Sequence, residues 1–338
     1  MRSLFLDVCP GERRGVVVLD GKPERLLIER EGEPDRPRLG DIWAGRVGSS
    51  APGFRGFFVV LDEGPPGLMA AEAGARPSEG AMVEVEVTAE ARAGKGPLLR
   101  RRGAGAGAVG RVRPAQDMQA RLQAFAPESG IVLGPAAREA ADVAEEEALA
   151  QTHLLSGGLS LCIERTRGLT AVDVDFARAE AGKRAILDAN RRAVREAARL
   201  LRLKGLGGLS VMDLIGKASE HSEILGAASE AFAPDQPGVV IAGISRLGLL
   251  EVARPWGETP VAERLLGDDG APTIRSVAQR LVRALEREGR VDPGARLVCV
   301  CAPEVAAELD PLVRQLGPRF GVAAEAGRGR LESHIQPR

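Results

Sequence analysis

Apolar residues in the first hundred positions recur in short alternating runs. Residues 2–30 contain three such runs separated by turns, which predicts an antiparallel opening sheet. From residue 38 to 102, five short runs are divided by Gly and Pro at regular spacing. Runs of this kind are typical of a small barrel. The first third of the chain is therefore predicted to be mostly strand.

The most informative pattern lies between residues 168 and 215. Residues 170–175 alternate, so that Asp173 and Asp175 share one face of a predicted strand. Apolar residues then recur at helical spacing for roughly 20 residues. Three glycines end this helix, and a second buried strand follows, with Asp213 near its end.

A strand–helix–strand unit of this length indicates parallel or neighbouring strands, with Asp173 and Asp213 at corresponding ends. Two or three carboxylates gathered in one place suit a hard cation. Mg²⁺ takes one or two carboxylates and completes its shell with water and substrate phosphates. The alternative from the pattern alone is a pair of strand-end aspartates that cap loops.

Composition and charge narrow the class of protein. The 338 residues suffice for more than one domain. The net charge is −1, so any contact with nucleic acid depends on local basic patches. Four cysteines in apolar stretches favour free thiols in a reducing cytosol, with a metal or redox pair at Cys299 and Cys301 as the alternative. We find no signal peptide and no run of about 20 apolar residues, and therefore expect a cytoplasmic protein without a membrane span.

Three stretches together resemble the catalytic core of the ribonuclease E/G family. They are GLTAVDVD at 168–175, the helix carrying Asn190 with LLRLKGLGGLSVMDLI after it, and GISRLGLLEVAR at 243–254. The resemblance implies a DNase I-like core in which Asp173 and Asp213 hold Mg²⁺, with Mn²⁺ as a substitute. It also implies hydrolysis of RNA to 5′-phosphate and 3′-hydroxyl products. Asp175 stands where the family usually has Asn, and is a third candidate catalytic residue.

Residues 38–102 resemble the S1 domain, an OB-fold that binds single-stranded RNA. Such barrels stack bases on exposed aromatic side chains beside cationic ones. Phe58 matches a stacking aromatic of the family, whereas the second stacking position falls on Leu68, which cannot stack comparably. Lys95 and the arginines at 100–102 supply positive charge. The resemblance therefore implies single-stranded RNA as the partner.

Further candidate contacts with RNA lie beside the predicted core. Asn190 on the long helix and Arg246 in the third stretch are both candidates, and a structural or surface role is the alternative for Arg246. The helix also carries a stripe of arginines suited either to a phosphate backbone or to a salt-bridged, solvated face. These are Arg191, Arg195, Arg199 and Arg202.

The chain departs from the family pattern at two recognisable sites. Leu133 and Gly134 stand where an Arg-Thr pair would grip an RNA 5′-monophosphate, and Gly238 replaces a second phosphate-contacting arginine. A phosphate clamp needs guanidinium groups or hydroxyls, so we expect 5′-end sensing to be lost. Residues 265–271 lack the Cys-Pro-x-Cys zinc link, so no zinc is expected. A homodimer without a zinc link stays open.

These features predict an α+β protein of a short ribonuclease E/G type. The predicted function is Mg²⁺-dependent endonucleolytic cleavage of single-stranded RNA, in RNA processing or decay, without 5′-end sensing. The alternatives are an RNA-binding protein of the same fold with little or no catalysis, and a metal phosphoesterase with another substrate. We expect the tail from residue 328 to be loosely ordered. The predicted divisions are 1–37 (N-terminal strands of a trimmed ribonuclease H-like subdomain), 38–102 (inserted five-stranded OB-fold, or S1, barrel), 103–157 (linker and remnant of that subdomain and the 5′ sensor), 158–266 (DNase I-like α/β catalytic core) and 267–338 (small C-terminal α+β domain).

Overall fold

Three antiparallel strands open the chain in the computed structural model, which describes residues 1–33, 36–61, 64–71, 77–177, 182–216 and 221–337. The strands are β1 (Arg2–Cys9), β2 (Glu12–Leu19) and β3 (Lys22–Arg30). They pair in sequence order. The connections are tight because Gly11 and Gly21 adopt φ values of 75° and 81°, which favour glycine. The predicted opening sheet is present.

A closed barrel follows and interrupts this first sheet. Its strands are β4 (Ile42–Ala51), β5 (Gly56–Val60), β6 (Gly67–Ala70), β7 (Met82–Ala89), β8 (Leu98–Ala104) and β9 (Gly110–Arg113), with a 3-10 turn at Pro52–Phe54. Because β4 pairs with both β5 and β7, the strands β5-β6-β8-β7-β4 close into a ring. Trp43, Val59 and Val85 lie inside it. β9 pairs with β4, so the sheet extends past the predicted boundary at residue 102.

The chain then returns to the first sheet and covers both of its faces. The returning elements are α1 (Met118–Phe125), β10 (Ile131–Val132) and α2 (Pro135–Leu149). β10 pairs in parallel with β1, which gives the order β10-β1-β2-β3. Met118 and Leu122 of α1 pack on one face of this sheet. Ala141 and Ala144 of α2 pack on the other, and small side chains allow this helix a close approach.

A six-stranded sheet carries the residues of the predicted core. Its elements are β11 (Thr152–Leu155), β12 (Leu159–Arg165), β13 (Thr170–Phe176), α3 (Lys183–Leu203), β14 (Gly208–Asp213), α4 (His221–Phe232), a 3-10 turn (Ala233–Asp235), β15 (Val240–Ile244) and β16 (Leu249–Arg254). The strand order is β11-β12-β13-β14-β16-β15. Helix α3 joins β13 to β14, which are parallel as predicted. Val172, Met212 and Leu200 belong to one core between the sheet and α3.

The last elements form a smaller α+β unit. They are α5 (Val261–Leu265), α6 (Ile274–Val291), β17 (Leu297–Cys301), α7 (Pro303–Leu316), β18 (Phe320–Ala324) and β19 (His334–Pro337). β19 pairs with β17, so the prediction of a loosely ordered tail is wrong for residues 334–337. Cys299 and Cys301 are buried free thiols. Across the described ranges, no helix is long and apolar enough to cross a membrane.

Buried ion pairs join the first sheet to α6. Glu12 of β2 is fully buried, and its Oε1 lies 3.8 Å from Nη1 of Arg283 of α6. Arg283 of α6 lies 2.7 Å from Asp7 of β1, measured from Nη1 to Oδ2. Buried charges are tolerated where they are paired. The N-terminal sheet and the C-terminal unit therefore pack directly against each other.

Candidate active site

Asp173 and Asp213 lie side by side on the two parallel strands of the six-stranded sheet. They are direct partners in the register of β13 and β14. Neighbouring strands are about 4.8 Å apart, and side chains of paired residues project from the same face. One cation can therefore contact both carboxylates. The structure brings the two predicted residues together, while their catalytic role stays a prediction.

Both carboxylates face solvent, and the described part of the chain places no neutralising partner beside them. Val172 and Met212, at the alternate positions of the two strands, are buried against α3. The same alternation leaves Asp173 and Asp213 on the outer face of the sheet. Neither they nor Asp175 forms a hydrogen bond or ion pair with any residue that the structure describes. Unpaired carboxylates on one face produce a negative potential that attracts a cation.

Asp175 lies on the same face but one step beyond the pair. β14 ends at Asp213, so Asp175 has Ser160 of β12 as its neighbour and no partner on β14. In the described ranges, no group of three or more His, Cys, Asp or Glu residues is arranged to hold a metal ion. Among the described residues, a cation at this site would therefore have two protein ligands, Asp173 and Asp213. This donor set fits Mg²⁺, which keeps several waters and uses substrate phosphates as well.

Asn190 of α3 holds the backbone that follows Asp213. Its Nδ2 donates to the Ile215 carbonyl oxygen at 3.1 Å, and its Oδ1 accepts from the Ile215 amide at 2.9 Å. The residue is only 1% exposed. The predicted contact between Asn190 and RNA is therefore wrong, because the amide is buried and both of its ends are occupied. Ile215 was not a candidate from sequence, since a backbone contact carries no side-chain signal.

Arg246 lies in the turn between β15 and β16, and its side chain is exposed. β16 begins at Leu249, which pairs with Asp213, so this turn is at the same end of the sheet as the aspartate. Arg246 has no hydrogen bond or ion pair within the described part of the chain. The position is compatible with a phosphate contact, and that role stays a prediction.

The arginine stripe of α3 is a salt-bridged surface, which was the second of its two interpretations. Two of the arginines bind carboxylates of α4, and the other two are buried and bind carboxylates of neighbouring elements. The pairs include Arg191–Glu223 at 3.3 Å, Arg195–Glu230 at 3.3 Å, Arg199–Glu147 at 2.5 Å and Arg202–Asp235 at 2.8 Å. These guanidinium groups stabilise the fold and are not free for a phosphate backbone.

Phe58 is half-buried on the outer surface of the barrel. Phe57 packs against the barrel core, because adjacent strand residues face opposite sides. Phe58 pairs with Leu68, which in turn pairs with Leu98. On this outer surface Phe58 therefore begins a row of three side chains, with Leu68 next to it and Leu98 one strand further.

Lys95 lies in the loop between β7 and β8 and is exposed. Its ammonium group has no partner among the described residues. Arg100 and Arg102, by contrast, both form ion pairs with Glu86. At this part of the barrel, Lys95 therefore carries a positive charge that no described residue neutralises, whereas Glu86 neutralises part of the charge of the two arginines.

The segment from the start of α2 to just beyond β16 matches a known protein family. A model of the ribonuclease E/G family matches residues 135–256, a range that contains Asp173, Asp213, Asn190 and Arg246. Over this range the chain is similar to the ribonuclease E/G family. The match covers the six-stranded sheet and leaves out the barrel and the C-terminal unit.

Relatives with this family's names are similar to part of the chain. Ribonuclease E of Haemophilus influenzae is 32% identical over 171 residues, which are 47% of this chain and 18% of the relative. Ribonuclease G of Salmonella typhimurium is 29% identical over 172 residues, which are 47% of this chain and 35% of the relative. A chloroplastic ribonuclease E/G-like protein of Arabidopsis thaliana is 36% identical over 107 residues, which are 30% of this chain and 11% of the relative. The chain thus spans a minor part of the length of these relatives.

Proposed function

We propose that the chain is an Mg²⁺-dependent endoribonuclease that cleaves single-stranded RNA to 5′-phosphate and 3′-hydroxyl ends in RNA processing or decay. The observation that carries the proposal is the in-register pair Asp173 and Asp213, which is exposed on one sheet face and has no partner among the described residues. Similarity to the ribonuclease E/G family suggests the reaction class. We infer further that the closed barrel is an S1-type OB-fold and that the six-stranded sheet is the DNase I-like core.

The residues around the pair have separable tasks in this proposal. Asp173 and Asp213 hold the cation, for which Mn²⁺ can substitute. When bound, Mg²⁺ supplies an activated water and offsets charge on the scissile phosphate. Asn190 fixes the backbone after Asp213, and Arg246 offers a guanidinium group at the same end of the sheet. Asp175 adds negative charge to this face, which favours a cation and disfavours a bare phosphate.

In this proposal the barrel binds the RNA and takes no part in its cleavage. Phe58 provides one aromatic face for a base, and Lys95 provides an unpaired ammonium group for a phosphate. With one aromatic platform instead of two, the barrel should bind RNA weakly and with little sequence preference. Cleavage would then depend on how the RNA binds the face of the six-stranded sheet that carries Asp173 and Asp213.

The test is cleavage of an unstructured A/U-rich oligonucleotide in Mg²⁺, comparing wild type with Asp213→Asn. Removing one of two protein ligands should lower kcat by on the order of 100-fold or more, since a metal contributes several kcal/mol to the transition state. Asp188→Asn is the matched control, because Asp188 is an exposed carboxylate on α3. Equal rates for wild type and Asp213→Asn would falsify the assignment.

Substrates with 5′-monophosphate and 5′-hydroxyl ends should be cleaved at similar rates. Leu133 and Gly134 are exposed and carry no group that binds a phosphate, and Gly238 has no side chain. The measurement is the ratio of kcat/KM for two otherwise identical oligonucleotides. A preference of about tenfold or more for the monophosphate would contradict the loss of 5′-end sensing.

A fold-retaining RNA-binding protein with little catalysis is the second candidate. The observation that favours it is a third carboxylate, Asp175, beside a pair that has no further protein ligand in the described ranges. A ligand that binds the folded state raises thermal stability. Mn²⁺ should therefore raise the Tm of wild type more than that of Asp173→Asn if the site binds metal. RNA binding without cleavage and without this difference would favour the second candidate.

A further inference from the structure

A small cleft of about 90 Å³ lies where the barrel meets the six-stranded sheet. It opens at the starts of β13 and β14, away from the end of β14 that carries Asp213. The described residues that line it include four cations and one tryptophan but no carboxylate. The cations are Arg92 and Lys95 from the β7–β8 loop, Arg165 at the end of β12 and Arg167 from the turn after it, and the tryptophan is Trp256, which follows β16.

Trp256 holds two of these cations in place. The guanidinium carbon of Arg92 lies 4.4 Å from the centroid of the indole ring, and that of Arg165 lies 5.3 Å from it. The ring itself rests on the turn before β14. A Cβ at Gly207 or Gly208 would come within 2.9 Å or 3.1 Å of indole atoms, so only glycine allows this contact. Cation–π contacts therefore fix a pair of guanidinium groups at the cleft.

The other two cations are available to a ligand. Lys95 and Arg167 are exposed, and neither side chain has a hydrogen bond or ion pair in the described ranges. Arg165, by contrast, pairs with Glu263. Since the whole chain has a net charge of −1, two cations at one cleft that pair with no described carboxylate are a local exception that an anion would neutralise.

We propose that this cleft binds a phosphodiester group of the RNA strand where it passes from the barrel to the carboxylate pair. Leu209 lines the cleft and lies on the same side of β14 as Asp213, four residues further along. At about 3.3 Å per residue, the cleft and the pair are roughly 13 Å apart. A barrel of this class contacts about 4–16 nucleotides, so one strand can reach both places. That the ligand is RNA rests on the proposed function.

The test is binding of a fluorescein-labelled A/U-rich oligonucleotide in EDTA, where cleavage does not occur. Arg167→Ala and Lys95→Ala should each weaken binding by about two- to fivefold, the range for one exposed ionic contact. Each should also make the slope of log K against log salt shallower by about 0.7, the value for one phosphate contact on a single strand. Arg296→Ala is the matched control, because Arg296 is an exposed arginine in the loop before β17. Equal affinities and slopes for the cleft variants and the control would overturn the proposal.

Tryptophan fluorescence provides a second, local readout. The chain has two Trp residues and no Tyr, and Trp43 is 3% exposed inside the barrel. Changes in acrylamide quenching on binding RNA therefore report Trp256, and the variant Trp43→Phe should retain them. RNA should reduce quenching in wild type and less in Arg167→Ala. No change on binding RNA, or the same protection by an equal phosphate concentration of inorganic phosphate, would reject a strand-binding cleft.

The cleft and the nuclease assignment can fail separately. Asp213→Asn should lose cleavage while binding the oligonucleotide with the wild-type salt slope. If cleavage proves insensitive to Asp213 but the cleft variants bind RNA more weakly, the cleft stands and the nuclease assignment falls. If Asp213→Asn is inactive and the cleft variants bind RNA normally, the nuclease assignment stands and the proposed RNA site in the cleft falls.

Discussion

Replacement of Asn190 tests whether the active face depends on a residue that does not touch RNA. Asn190→Ala removes two hydrogen bonds to the Ile215 backbone, of 3.1 Å and 2.9 Å. At a net contribution of about 0.5–1.5 kcal/mol each, the variant should lose about 1–3 kcal/mol of unfolding free energy. Asn190→Asp keeps the acceptor but sets a carboxylate oxygen against the Ile215 carbonyl, and it buries a charge. It should be the less stable of the two.

The functional effect should appear in kcat rather than in RNA affinity. The Asn190 amide fixes the backbone two residues after Asp213, so its loss lets that carboxylate move relative to Asp173. We expect kcat for cleavage in Mg²⁺ to fall by roughly 10–100-fold, as for partners that orient metal ligands, while KM changes little. Urea unfolding gives the stability change, and steady-state kinetics on a labelled oligonucleotide gives the rates.

Asp188→Ala is the control for these measurements, since it changes an exposed residue of the same helix. The control should keep both stability and kcat. The reasoning fails if Asn190→Ala keeps the wild-type stability and kcat but binds RNA several-fold more weakly. That result would return Asn190 to the role of an RNA contact.

Two further predictions concern the barrel and the pH dependence of stability. Phe58→Ala should weaken the binding of RNA by about 1–3 kcal/mol in a fluorescence titration, since the ring stacks one base. Phe58→Trp should restore the affinity. Equal affinities of Phe58→Ala and wild type would exclude a stacking role. Burial, with Lys204 as the next cause, lowers the pKa of His153 to about 4. Its neutral form therefore stabilises the fold above pH 6.5, and this contribution is lost as pH falls from about 6.5 to 4, by at most about 1.4 kcal/mol per pH unit. His153→Gln should unfold in urea with a smaller loss of stability over that range, and identical pH profiles would contradict the assignment.

Elements with strong local periodicity were predictable from the sequence. The helix α3 and the alternation of β13 follow from apolar spacing alone, and the parallel pairing of β13 with β14 follows from the helix between them. The placement of Asp173 opposite Asp213 was therefore within reach of sequence reasoning. Their shared face needs only the two-residue period of strands.

Features that depend on distant partners were not predictable in this way. β19 is a short run near the C terminus whose order comes from pairing with β17, more than 30 residues earlier. Asn190 carries the same polar group whether it faces RNA or a backbone, and only the fold decides between these roles. The cleft at Trp256 is likewise formed by four segments that are far apart in sequence.

The insertion of the barrel between β3 and α1 imposes an order on folding during synthesis. The edge of β1 is completed by β10, which pairs Leu4 with Ile131, and one face of the first sheet is covered only by α1. A ribosome adds about 5–20 residues per second, so β3 is made roughly 5–19 s before α1 is complete. The barrel, whose strands are nearly contiguous in sequence, can fold in that interval. The nascent chain would meanwhile carry an apolar three-stranded sheet with an open edge, which makes this sheet the natural binding site for a chaperone.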